Sequence, residues 1–224
     1  MTRPWPLLLA VPVLMAPGTC AFGLDYTETF LINDPIERVE ITVDRGNIDA
    51  LAWDRQGIVL KRHTFGFQRD LGEAVKEIED DVLHLELLCV QDGPCSSDHL
   101  FELPYGIGFD ITLEDGYCSL GYVDGDIAAN VGAGLFRGVR LAAPNVSLTA
   151  GQVEVDLDFA APPENVSIDL EEGDVLLAVP PGAYRCEFTT DGAVESDVEC
   201  DDAAAAALSI RVGRGAITVT EAAP

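Results

Sequence analysis

The strongest constraint on this chain is an alternation of apolar and polar residues with a period of two. Val39, Ile41 and Val43 alternate with Glu40, Thr42 and Asp44. The same pattern returns at Leu83–Cys89, Ile107–Leu113, Val153–Phe159, Val166–Leu170 and Leu208–Val212. Such runs place apolar side chains on one face of a strand and polar ones on the other. They predict an all-β protein. Helical periodicity appears once, weakly, around Leu71 to Ile78. The alanine run Ala203–Ala207 reads as a loop, with one helical turn as the alternative.

A short phrase punctuates these strands: Gly, then a variable or acidic residue, then an aliphatic one. It occurs at Gly46-Asn47-Ile48, Gly125-Asp126-Ile127, Gly151-Gln152-Val153, Gly173-Asp174-Val175, Gly192-Ala193-Val194 and Gly215-Ala216-Ile217. From Gly151 onward the glycines follow at intervals of 22, 19 and 23 residues. Each interval suits one coil of a solenoid, with Gly at a corner that needs positive φ and the aliphatic residue turned inward. A β-sandwich is the rival architecture, since regularly spaced strands with turn signals also fit it. The recurring phrase favours a parallel β-solenoid.

The N-terminus carries its own signal. Arg3 precedes an apolar run from Trp5 to Ala16, followed by small residues up to Gly23. That pattern predicts a secretory signal peptide over 1–23 and a single solenoid domain over 24–224. The apolar run is too short for a stable membrane span. Cys20 raises the alternative of a lipid anchor, although Pro17 and Thr19 match a lipobox poorly. Export to a secreted, periplasmic or outer-envelope location fits the cysteines. Cys89 and Cys95 flank one turn, and Cys186 and Cys200 flank a longer excursion, so each pair can close a local disulfide in an oxidising compartment. Cys118 is left over, at an apolar strand position that suits a small buried hydrophobe.

Charge narrows the function. Asp and Glu number 39 against 13 Lys and Arg, a net charge of −26. Between Leu141 and Ile210 Arg185 is the sole base among fifteen acids. Nucleic acid and anionic lipid heads are excluded as partners, because both demand clustered cations. Strong like charge keeps a chain soluble and monomeric, and a solvated acidic face is the plain reading. The sharper one is a Ca²⁺ site: Glu154, Asp156 and Asp158 share one strand face, and Asp169, Glu171 and Asp174 from the next coil would stack beside them. Neither an EF-hand loop nor a Gly-Gly-x-Gly-x-Asp repeat is present, so no cofactor beyond Ca²⁺ is indicated.

Catalytic signals are weak. The three histidines, His63, His84 and His99, lie apart, and neither a Gly-x-Ser-x-Gly elbow nor a phosphate-binding Gly-rich loop occurs. Arg137 and Arg140 are the bases nearest to the acidic strands, as a carbohydrate-active enzyme on this type of fold would need; that is fold analogy alone. The sequons at Asn145 and Asn165 lie within strand patterns. Trp53, Phe65, Phe67 and Tyr105 are candidates for a contact patch, or ordinary core and edge fillers.

The region from Ile36 to Thr220 resembles the bacterial putative adhesin family of β-strand-repeat proteins from cell envelopes. The residues that carry the resemblance are Val39-Glu40-Ile41-Thr42-Val43 with Gly46-Asn47-Ile48, Phe101-Glu102-Leu103-Pro104-Tyr105-Gly106, the Gly-Asp-Ile and Gly-Asp-Val phrases, Val179-Pro180-Pro181-Gly182-Ala183-Tyr184, and Gly215-Ala216-Ile217-Thr218-Val219. The resemblance implies a right-handed parallel β-helix, export or lipoprotein attachment, and no agreed catalytic residues. The expected role is a non-enzymatic adhesive or structural module that meets protein or polysaccharide at the cell surface. An envelope-stress or regulatory module acting through a protein partner is the alternative.

Overall fold

The computed structural model describes residues 23–67, 75–89 and 95–222. The expected signal peptide, Cys20 included, lies outside them except for Gly23. The described chain is all-β and contains no helix. Its sixteen strands join in one sheet.

Long strands stack in parallel through the middle. β7 (Gly108–Gly121), β8 (Ile127–Leu141) and β9 (Asn145–Phe159) are successive layers, with Phe109 beside Ile127 and Ile127 beside Val146. The next layer is split into β10 (Asn165–Glu172) and β11 (Val175–Val179), both parallel to β9. Most layers bend at a glycine corner. Gly46, Gly116, Gly134, Gly173, Gly215 and Gly192 line up along one such corner, with Val153 in the remaining layer. Two residues further on, Ile48, Cys118, Phe136, Val155, Val175 and Ile217 form a buried row. The interior is one continuous apolar cluster from Ile32 to Val219. Each fully buried Val, Leu, Ile or Phe contributes about 1.5–3 kcal/mol, and no single layer could bury both faces of its own row.

The ends depart from chain order. After β11 the chain skips a layer. It builds β12 (Ala183–Thr190), β13 (Val194–Ser196) and β14 (Glu199–Cys200), then returns as β15 (Ala207–Arg214) and β16 (Ile217–Glu221) to fill the gap. β15 therefore lies between β10 and β12, and β16 between β11 and β13. The N-terminal end mirrors this. β2 (Arg38–Ala52) is enclosed between β7 and the later strands β5 (Val82–Leu87) and β6 (Cys95–Leu103). Outside β6, β3 (Ile58–Phe67) and β1 (Gly23–Ile32) add in antiparallel fashion, and β4 (Val75–Glu79) pairs antiparallel with β5.

Three expectations change accordingly. The sheet is mixed, because β1, β3 and β4 add in antiparallel fashion at the N-terminal end. The weak helical signal ends in a strand: residues 75–78 belong to β4, while 71–74 lie outside the described residues. The Gly-x-aliphatic phrases do not mark a single corner. Gly151 aligns with Gly132 at a neighbouring position, and Gly125 packs over Ile107 and Gly108. The spacing of 22, 19 and 23 residues is not a succession of neighbours either, since Gly215 stacks between Gly173 and Gly192. The alanine run is turn and bend structure over 203–206, as its loop reading has it, and Ala207 opens β15.

Both disulfides are at the ends. Cys89–Cys95 ties the end of the β5 segment to the start of β6, with Cα atoms 5.9 Å apart. Cys186–Cys200 ties β12 to β14 across 5.6 Å. At the C-terminal end β14 pairs with β12 alone among the described strands, so covalent closure there offsets the missing contacts. Cys118 is free and buried, and burial raises its thiol pKa far above the usual value.

Candidate functional site: a polar trough across the layers

Outward-facing residues form rows because the layers are in register. One row runs Glu40, Asp110, Ala128, Ser147, Ser167 and Ser209. Beside it runs Thr42, Thr112, Asn130, Thr149, Asp169 and Arg211. Small side chains in the middle leave a trough. Its first hollow, about 410 Å³, is lined by Glu40, Thr42, Asp110, Thr112, Asn130 and Ser147. A second hollow of about 390 Å³ continues from Asn130 past Thr149 to Asp169 and Arg211. With layers spaced about 4.8 Å apart, the row from Thr42 to Arg211 spans about 24 Å.

The electrostatics differ along this line. At one end Arg38 Nη1 donates to Asp110 Oδ2 at 2.8 Å, and His84 Nδ1 lies 2.9 Å from Glu40 Oε2. At the other end Arg211 Nη1 lies 4.0 Å from Asp169 Oδ2. Between them the trough presents neutral hydroxyl and amide groups at the pitch of the sheet. It can donate and accept hydrogen bonds repeatedly along an extended, neutral chain.

The carboxylates expected to bind Ca²⁺ do not converge. Asp156 meets Arg137 Nε at 3.4 Å, and Asp158 Oδ2 accepts from the Arg140 N–H at 3.3 Å. Their neighbours in the next layer are Leu176 and Ala178, not acids. Asp169 lies in the trough row beside Thr149, away from Glu154. Only Glu154 and Asp174 adjoin: Glu154 Oε2 accepts from the Asp174 N–H at 3.3 Å, and Asp174 Oδ1 accepts from the Ala216 N–H at 2.7 Å. Among the described residues, no three His, Cys, Asp or Glu side chains are grouped to hold a metal. Much of the acidity serves the corners instead. Asp98 Oδ1 accepts from the Asn47 N–H, Asp124 Oδ1 from Gly106 and Asp44 Oδ2 from Cys89, at 2.6–2.9 Å. Backbone donors freed where the ladder bends thereby find acceptors in an adjoining layer.

The histidines occupy three different settings. His63 Nε2 bonds Asp25 at 2.8 Å on the exposed side of the N-terminal cap, which raises its pKa. His84 flanks the trough. His99 is buried, and burial, with Arg62 adding, lowers its pKa from 6.5 to about 4. A histidine held neutral by folding stabilises fully above pH 6.5, and that contribution is lost as pH falls towards 4. Acidification from pH 7 to pH 5 is expected to cost about 2 kcal/mol through His99, and a His99→Leu variant should lose that part of the slope in urea titrations. Trp53, Phe65 and Tyr105 are exposed, 46%, 48% and 51%, so none is a core filler. The side chain of Phe67 lies outside the described residues. Thr42, Thr112, Asn130 and Thr149 carry no local motif; only the register of the layers aligns them.

No family model matches the chain, and no curated protein does. A putative cell adhesion protein from Clostridium sporogenes ATCC 15579 superposes with a TM-score of 0.53 at 14% identity, over 88% of this chain and 100% of that one. The two chains share a fold. A putative adhesin from Bacteroides fragilis NCTC 9343 is similar at 10% identity and a TM-score of 0.44, over 88% of this chain and 97% of its own.

Proposed function

We propose that the chain is a non-enzymatic, exported binding module, a right-handed parallel β-helix with added caps, that holds an extended neutral polysaccharide along its trough at the cell surface. The trough carries this reading: a line of neutral hydrogen-bonding side chains, Thr42, Thr112, Asn130 and Thr149, crosses four layers and is flanked by carboxylates. Right-handed winding follows from the strong preference of parallel crossovers for that hand. Two disulfides suit an oxidising compartment. The shared fold with the putative cell adhesion protein from Clostridium sporogenes supports a binding role. Polyanions are disfavoured by the net charge of −26. An extended peptide would seek a sheet edge for main-chain pairing, whereas the trough lies on a sheet face.

Affinity electrophoresis tests this. Gels containing a soluble neutral β-glucan or xylan are expected to retard the protein, and polygalacturonate is not. Thr112→Lys with Asn130→Lys should weaken retardation at least tenfold, since outward substitutions leave stability within about 0.5 kcal/mol. Equal migration in every gel, or retardation unchanged in the double variant, would remove the trough from consideration.

A further inference from the structure

The interior of the N-terminal cap changes character along its length. On the inward faces of β3 and β6, the cross-strand pair Leu60 and Phe101 is apolar. The next inward pairs are Arg62 with His99 and Thr64 with Ser97, ahead of Gly66 with Cys95. Thr64 and Ser97 are fully enclosed, and His99 is 2% exposed. Three atoms of this cluster, Thr64 Oγ1, Ser97 Oγ and His99 Nδ1, have no hydrogen-bond partner among the described residues. Buried polar groups of folded proteins are almost always satisfied, and orphans this close together on facing strands point to an occupant.

The chemistry of the three atoms selects it. Direct cross-strand neighbours have Cβ atoms about 5 Å apart and diagonal ones about 7–8 Å, so one or two small molecules reach all three. An anion would need Arg62, but its Nε and Nη2 already donate to Glu28 Oε2 at 3.2 and 2.6 Å. A metal ion would find one imidazole nitrogen and two neutral hydroxyls, a poor ligand set. Water both donates and accepts, and two to four polar partners are what a buried water requires. We propose that Thr64, Ser97 and His99 enclose one or two structural waters that bridge β3 to β6. The cap is then a hydrated seam at the end of an otherwise apolar column.

Oxygen-17 water relaxation dispersion on the full chain counts long-lived internal waters. The unsubstituted protein is expected to lose at least one when Thr64→Val and Ser97→Ala are combined, with an unchanged far-ultraviolet circular dichroism spectrum. An equal count in both proteins would overturn the assignment. A crystal structure of the unsubstituted protein at better than about 1.5 Å decides the matter without any variant. Density within hydrogen-bond distance of all three atoms supports the waters. Hydroxyls turned onto main-chain carbonyls around a dry hollow would refute them.

Discussion

Gly134→Val is expected to abolish the stack. A Cβ at this position would lie 1.8 Å from the carbonyl oxygen of Gly116 in the adjoining layer, and φ is +125°. Both obstacles are backbone, so no side chain can move aside. The substitution combines a clash with a disfavoured conformation in a β-branched residue, and the expected loss is about 4 kcal/mol or more. Urea unfolding followed by circular dichroism measures it. Gly182→Ala is the control: its Cβ would meet nothing closer than 3.8 Å, and the tyrosine ring of Tyr184 there is in ordinary contact. That variant should remain within about 1 kcal/mol of the parent. A folded Gly134→Val protein of parental stability would mean that the layers are not in this register.

The second large effect is at the C-terminal end. Cys186 and Cys200 are 14 positions apart, and opening a loop of that size is expected to cost about 3 kcal/mol. Replacing both by Ser should act locally. β12 and β13 pair with the body only through β15 and β16, so the fraying spreads from residue 183 onward. Hydrogen exchange read by mass spectrometry should show amides of β12–β16 losing protection while β7, β8 and β9 keep theirs. Uniform loss across all layers would show that the stack unfolds as one unit and that the staple is not specific to its end. The Cys89–Cys95 loop is shorter, so its removal should cost less, about 2 kcal/mol.

Much of this was readable from local pattern. The alternating runs at 107–113, 153–159 and 166–170 are strands with the stated face inward, because burial on one side imposes a period of two. Cysteines that flank short excursions are close in space for the same local reason. What local pattern cannot convey is which strand lies beside which. Ser167 would pair equally well with a strand 20 or 42 residues away, since inward aliphatics and outward polar residues look alike in every layer. The interleaving of β15 between β10 and β12 is decided by packing of the whole end. Likewise, Thr42, Thr112, Asn130 and Thr149 look like ordinary outward residues one strand at a time. Their alignment into a trough exists only once the register is known. The Ca²⁺ reading stacked the wrong carboxylates because it placed Asp169 beside Glu154, when the Gly173 corner separates β10 from β11.

Cross-linking measures the layer order most directly. Ser167 and Ser209 are register partners in adjoining strands, and Ser209 is in turn the partner of Glu187. Adjacent strands place Cα atoms about 5 Å apart, within disulfide reach, while two layers place them about 10 Å apart, beyond it. Oxidation of the Ser167→Cys, Ser209→Cys protein is expected to give an intramolecular disulfide, and oxidation of the Ser167→Cys, Glu187→Cys protein is not. The reverse outcome, ready bridging of 167 to 187 and none of 167 to 209, would mean that the layers follow chain order and that the interleaved end, with the trough laid across it, is wrong.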